Sequence, residues 1–411
     1  MKLLWAKSGT LVPPDSGGTI RSFNLLKELA REHEITLFLF YGAHANDRHD
    51  ELKKLFANVV TVPMQLPQKK RGAAEALAYA SSFFGPWPYS VSKYCRPEAS
   101  ARLREVVRSG KFDAIVCDFL FATKAIPWDL PVPKVLFTHN VEEMIWRRSF
   151  EIARNPIWKV VAWREYRRIA AVERQYVALA DQVLAVSEND RSHFVTYTDP
   201  TKITVVPTGV DIEYFHPMTL EEKPNSIVFT GSMDWLANED AILYLHEVIL
   251  PKIRNQIPEV EAWVVGRSPS QRLRDLGKQG TGITVTGAVE DVRPYIAASP
   301  VYVVPMRIGG GTRIKIFEAM AMGKAVVSTT VGAEGLPVTH GKDIILADTP
   351  EEFAAEVIRL LRDNAARQSI GKSARKLVEE NYSWAAVVRS FDDVLQKAVS
   401  NKNSIPRDGS K

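Results

Sequence analysis

The sequence predicts an α/β protein of two Rossmann-like domains facing each other across a cleft, and three observations predict it. Short apolar runs alternate with longer amphipathic stretches from one end of the chain to the other, the pattern of parallel strands wrapped by helices. The alternation stops once, at residues 207–224 (PTGVDIEYFHPMTLEEKP), and then starts afresh. The chain has 411 residues, too many for one ordinary core and comfortable for two.

Taken in order, residues 1–206 form the first domain. Its strands are read at 2–6 (KLLWA), 35–40 (ITLFLF), 59–62 (VVTV), 114–117 (AIVC), 134–137 (KVLF) and 182–186 (QVLAV). Helices fall between them, among them Gly18–Ala30 and a long one from Trp146 to Leu179. Residues 207–383 form the second domain. It opens at SIVFTG (226–231) and runs on through VEAWVVG, ITVTG, VYVVP, AVVST and DIILA. A last helix, 384–399, starts after an N-cap at Ser383 and is expected to pack back on the first domain, leaving 400–411 as a polar tail. The irregular stretch Lys69–Lys93 reads as an ordered insertion, a flap or a membrane-touching loop.

Composition narrows the classes. Hydrophobic residues make up 45% and charged residues 25%, average usage that excludes a disordered or collagenous chain. The longest apolar stretches fall short of the ~20 residues of a spanning helix. No secretory signal is apparent at MKLLWAKSG, and Cys95 and Cys117 give neither a disulfide framework nor a structural zinc site, so a cytoplasmic protein is expected. Up to residue 200 there are 28 basic and 22 acidic residues, and after it 25 and 26. That surplus is too diffuse for a nucleic-acid footprint. Segment 145–176 holds eight basic and three acidic residues, with Trp146, Trp158 and Trp163 interleaved. Packing the aromatics on the sheet with snorkelling arginines is the favoured reading, and peripheral contact with the inner face of a membrane stays open.

The chemistry concentrates at residues 305–329, PMRIGGGTRIKIFEAMAMGKAVVST. A strand ends at Pro305, Gly309, Gly310 and Gly311 follow, and an amphipathic helix starts near Thr312. Such glycines let the backbone approach a ligand, and the helix start offers free N–H groups. Arg313 and Lys315 place two cations in the first turn, where the helix dipole disfavours them; a bound diphosphate would explain them, and a plain turn with solvated side chains is the alternative. Glu318, one turn further, suits bidentate bonding to ribose hydroxyls. In the first half, Gly17 and Gly18 open a helix after the first strand, Asp118 ends a strand, and His139 follows KVLFT at a strand end. Gly209 and Gly231 are expected to line the cleft floor. No acidic pair of the DxD type and no His/Cys cluster with metal spacing is visible, so neither metal nor cofactor is expected.

The paired glycines of DSGGTIRSFNLLKELA, LFTHNVEE, VLAVSENDRSHF, VVPTGVDIEYFHP, TGAVEDVRPYIAASPVYVVP, FEAMAMGKAVV and ENYSW occur in an order and spacing that resembles the retaining glycosyltransferases of family 4, nearest to those of bacterial exopolysaccharide clusters. The resemblance implies the GT-B fold, a nucleotide-diphosphate-sugar donor, and an acceptor that is a glycan, a lipid-linked sugar or a small molecule. It implies that His139 contacts the donor sugar and that Glu318 holds the ribose. Residues 1–206 would be the acceptor side and 207–383 the nucleotide-sugar side. Gly18, Gly231, Gly309, Gly310, Gly311 and Thr312 would line the donor, with Gly17 and, as a weak contact, Asp118 near the acceptor. Two departures stand out. The first of the family's two glutamates is replaced by Gly310. The Arg and Lys that many relatives carry after the first strand of the second domain are replaced by Ser232 and Asn238. A leaving diphosphate still needs positive charge, which points to Arg313 and Lys315.

Three functions fit these residues: a retaining, metal-independent glycosyltransferase, a sugar-nucleotide epimerase of the same fold, and an inactive nucleotide-sugar-binding module. An epimerase would need acid–base carboxylates, for which Asp118 is the weak candidate.

Overall fold

A computed structural model describes residues 1–14, 17–42, 49–64, 83, 85–94, 96–153, 155–278, 280–308 and 314–403. Gly309, Gly310, Gly311, Thr312 and Arg313, most of Lys69–Lys93 and the tail from residue 404 lie outside the described residues. The chain divides into two units, residues 1–207 joined by the chain from Val387 on, and Thr208–Ala386.

The first unit holds a seven-stranded sheet of β1 (Lys2–Ser8), β2 (Glu34–Gly42), β3 (Asn58–Met64), β4 (Ala114–Asp118), β5 (Lys134–Phe137), β6 (Gln182–Ala185) and β7 (Ile203–Val205). Its order is β3-β2-β1-β4-β5-β6-β7 and every pairing is parallel. β4 and β5 are buried along their whole length, because helices cover both faces and strands so placed need apolar side chains on each. β7 is absent from the strands expected above, because three residues are too few to show a period.

The second unit repeats the scheme with β8 (Ser226–Thr230), β9 (Glu261–Val265), β10 (Ile283–Gly287), β11 (Val301–Val304), β12 (Ala325–Ser328) and β13 (Ile345–Leu346), ordered β10-β9-β8-β11-β12-β13 and again all parallel. Each unit has its own apolar core.

Six helices carry or support the residues of interest: α1 (Gly17–Leu29), α2 (Glu142–Ile152), α3 (Pro156–Leu179), α4 (Leu236–Tyr244), α5 (Ile314–Ala321) and α6 (Trp384–Asn403). The Ser383 hydroxyl accepts the Ala386 amide at 3.2 Å and so caps α6. Further along α6, Phe391 stacks on Trp5 with ring centroids 5.5 Å apart and meets Phe137 edge-on at 5.4 Å, which closes the first unit's core around β1 and β5.

Candidate active site

Parallel sheets of this kind bind ligands at the carboxyl ends of their strands, beside the point where strand order reverses. In the first unit that point lies between β1 and β4. Lys7 near the end of β1, Asp118 at the end of β4 and His139 just beyond β5 meet there. Asp118 is fully buried; its Oδ2 accepts from Trp5 Nε1 at 2.8 Å and lies 3.3 Å from Lys7 Nζ, and its Oδ1 is 2.8 Å from His139 Nε2. Lys7 also donates to Ser22 Oγ at 3.1 Å, and Ser22 donates to the Gly18 carbonyl at 2.9 Å, which ties the first turn of α1 to the same cluster.

Burial by itself would raise the Asp118 pKa, but the Lys7 charge and the His139 hydrogen bond outweigh it and hold the carboxyl well below its ordinary range. Burial lowers the His139 pKa to about 4, against the partial support of Asp118. The imidazole is therefore neutral at pH 7. With a carboxylate at Nε2, the bonding assigns the proton to Nε2 and leaves Nδ1 as an acceptor. Nδ1 is buried and has no hydrogen-bond partner among the described residues. It faces Gly18, where a Cβ would sit 3.7 Å away.

In the second unit the strand order reverses between β8 and β11. Gly231, directly after β8, has φ +153°, and a Cβ there would fall 2.7 Å from Lys315 Nζ and 2.8 Å from Asn238 Nδ2. Gly266, after β9, is closer still: its Cβ would lie 1.7 Å from the Gly231 carbonyl oxygen, so only glycine lets the two strand ends meet. Lys315 leaves the first turn of α5 and donates to Asn238 Oδ1 at 2.7 Å, with its ammonium 4.1 Å from the centre of the Phe229 ring. These two partners explain part of why a cation is tolerated at that end of a helix. Glu318 is partly buried and has no hydrogen-bond partner among the described residues; desolvation raises its pKa to about 7, with Lys315 pulling in the other direction.

The fold thus groups His139, Asp118 and Gly18 in one unit, and Lys315, Gly231 and Glu318 in the other. Gly17, the first residue of α1, is exposed and has open space around it. Two expectations are corrected. Asp118 is sealed behind His139 rather than open to an acceptor, because β4 is buried to its last residue. Gly209 lies under Trp384, whose ring atoms a Cβ would meet at 2.6 Å, so this glycine serves packing and not a cleft floor.

Sequence reasoning alone misses Arg267. It follows Gly266, and its Nε donates to Ser232 Oγ at 3.0 Å. The sequence holds a signal, a Gly-Arg pair directly after an apolar run, but only the pairing of β8 with β9 shows what it meets. A further cluster, Glu143, Glu173 and His193, is assembled from three separate helices and has no sequence spacing to reveal it. Its members are engaged with each other, with Tyr197 and with the α2 amides.

Two parallel sheets with polar side chains gathered at their strand switch points are the doubly wound α/β arrangement, in which ligands bind at the carboxyl ends of the strands. Residues 16–214 match the family model described as Glycosyltransferase Family 4, and residues 224–363 match that of Glycosyl transferases group 1. The chain belongs to the family 4 glycosyltransferases. Among its relatives are an uncharacterized 44.6 kDa protein in the cps region of Klebsiella pneumoniae (20% identical, over 72% of this chain and 77% of that protein) and the MMP alpha-(1->4)-mannosyltransferase of Mycolicibacterium hassiacum (24%, over 62% and 63%). Across the relatives first matched, the chain spans about half to three-quarters of their length. Solved structures share the whole fold, GT-B. The sucrose-phosphate synthase of Thermosynechococcus elongatus has a TM-score of 0.71 at 18% identity, over 97% of this chain and 99% of that one. HepE of Anabaena in complex with UDP has 0.66 at 15%, over 97% and 100%.

Proposed function

We propose that this glycosyltransferase moves a sugar from a nucleotide diphosphate donor to an acceptor hydroxyl, with retention at the reacting carbon and without a metal. The observation that carries the reading is the cation placement at the end of β8. Where family members hold the diphosphate with an Arg and a Lys, this chain has Ser232 and Asn238, and each accepts a hydrogen bond from a cation supplied elsewhere, Arg267 and Lys315. The charge has moved in sequence while staying at the same strand end. Arg313 joins them in this proposal. Glu318, desolvated and without a partner among the described residues, suits two ribose hydroxyls, and the sequence run Gly309, Gly310, Gly311 and Thr312 is assigned to the phosphates in the same proposal.

In the first unit, His139 Nδ1 accepts a hydroxyl of the donor sugar. Asp118 is ionised and sealed, which leaves the departing phosphate oxygen to take the acceptor proton during attack on the same face. The same burial removes the one carboxylate available to an epimerase. The acceptor is a glycan, a lipid-linked sugar or a small molecule, and a relative from a cps region favours polysaccharide synthesis.

The test is a thermal-shift panel of nucleotide diphosphates and nucleotide sugars, because a ligand that binds only the folded form raises its midpoint. One nucleotide should stabilise the wild type and fail to stabilise Lys315→Met. Transfer assays with the matching donor should release nucleotide diphosphate only when acceptor is present and give retained anomeric configuration; an inverted product would overturn the mechanism.

A further inference from the structure

The sequence favours packing all three tryptophans of segment 145–176 inward, and the structure divides them. The core face of α3 carries Ala162, Ile169, Val172 and Val177, all buried. Trp146 is partly buried, packs against that core and lies 6.3 Å from the Trp158 ring. Trp158 and Trp163, in contrast, stand about half in solvent, at 49% and 51%, and Ile157 at 76%. Of the twelve large apolar side chains exposed among the described residues, six lie on these two helices: Ile145, Ile157, Trp158, Val160, Trp163 and Leu179.

Charge is sorted in the same direction. Arg147, Arg148, Lys159, Arg167 and Arg174 are exposed, while Glu142, Glu165 and Glu173 are buried. Glu151 is the exposed acid of the pair of helices, and Arg147 holds it at 3.0 Å. Val160, Trp163, Arg167, Ala171 and Arg174, all exposed, recur at three- and four-residue spacing, so they form one stripe along the outer side of α3.

We propose that this face of α2 and α3 docks on an anionic lipid bilayer. Tryptophan and aliphatic tips at the leading turns of a helix, flanked by arginine and lysine, match the apolar boundary and the phosphate layer of such a surface. No helix among the described residues is long and apolar enough to cross a membrane, so the contact is peripheral. A second copy of the chain is the weaker occupant, because a two-fold contact would set this basic face against itself. The proposal does not rest on the identity of donor or acceptor.

The experiment is sedimentation of the full chain with vesicles of phosphatidylcholine and phosphatidylglycerol in equal parts, against pure phosphatidylcholine, at low and high salt. Binding to the mixed vesicles alone, released by salt, is expected. Arg148→Gln with Lys159→Gln and Arg167→Gln should weaken it roughly 100-fold, and Trp158→Ser with Trp163→Ser by about tenfold or more. Both variants should keep the wild-type circular dichroism melt, since every substituted side chain is exposed. Equal affinity for the two vesicles, no binding to either, or unchanged binding by both variants would overturn the proposal. So would a dimer in light scattering that the tryptophan variant dissolves, which would assign the face to a second copy.

Discussion

His139 Nε2 lies 2.8 Å from Asp118 Oδ1, and that carboxylate is itself held by Trp5 and Lys7 in a fully buried position. The pair orients the ring and fixes which nitrogen carries the proton, as a buried carboxylate does for a histidine it bonds. Asp118→Asn removes that control and strands the Lys7 charge. Turnover should fall ~10-fold or more with the nucleotide Kd unchanged, and nitrogen NMR of the His139 ring should show the Nδ1–H tautomer gaining population. Breaking one side of a buried pair should also cost about 3 kcal/mol in a denaturant melt.

Lys315→Met should lower kcat/KM by ~10²-fold, the usual effect of deleting one group that stabilises developing charge. Adding Asn238→Lys to that variant returns an ammonium to the end of β8 and should recover much of the loss. A double variant no better than Lys315→Met in steady-state kinetics would separate Lys315 from the diphosphate.

If Glu318 holds the ribose as proposed, nucleotide binding acquires a pH dependence with a defined sign. Its pKa is raised to about 7 in the free protein. A carboxylate that accepts ribose hydroxyls must be ionised, so affinity should be flat above pH 7. Below it, affinity should fall toward tenfold per unit as the group protonates. Calorimetric titration of the nucleotide from pH 5.5 to 8 measures this, and Glu318→Gln should bind more weakly and without the slope.

A second titration bears on stability alone. Burial pushes the Glu173 carboxyl up to about 8 and that of Glu142 to about 7. Both folded values lie above the ordinary carboxylate range, so the folded state holds extra protons. The stability this confers is complete below about pH 4.5 and is lost as pH rises through 7 and 8, by up to about 1.4 kcal/mol per unit for each group. Thermal melts from pH 6 to 8.5 should show a falling midpoint in wild type and a flatter one in Glu173→Gln.

Phe391→Ala should destabilise the first unit by about 3–5 kcal/mol, since the ring is fully buried between Trp5 and Phe137. Trp5 also holds Asp118, so activity in this variant should fall before the protein unfolds.

Much of this is legible in the amino-acid sequence, for a physical reason. Central strands buried on both faces, such as β4, β5, β8, β11 and β12, must read as continuous apolar runs and stand out, as does the polar interruption at 207–224. The edge strands β3 and β10 are less buried but keep enough Val, Ile and Thr to be read. Lys315 and Glu318 are legible because their helix follows three consecutive glycines in the sequence. What escapes depends on partners distant in the chain. Asp118 looks like any strand-end carboxylate until Trp5, Lys7 and His139 converge on it. Arg267 acquires meaning from Ser232 through strand pairing. The outward turn of Trp158 and Trp163 is decided by how α3 is rotated on its core, which the mixture of aromatic and basic residues around the helix leaves open.

The first unit is discontinuous: its core is incomplete without Phe391, which lies beyond the whole of the second unit. A ribosome therefore releases residues 1–207 with the Trp5 side of the core uncapped, and the cap arrives only after about 180 further residues, a wait of roughly 10–40 s at ordinary elongation rates. During that wait the faces of Trp5 and Phe137 that Phe391 covers stand open, and Trp5, which holds Asp118, is packed on that side only once Phe391 arrives.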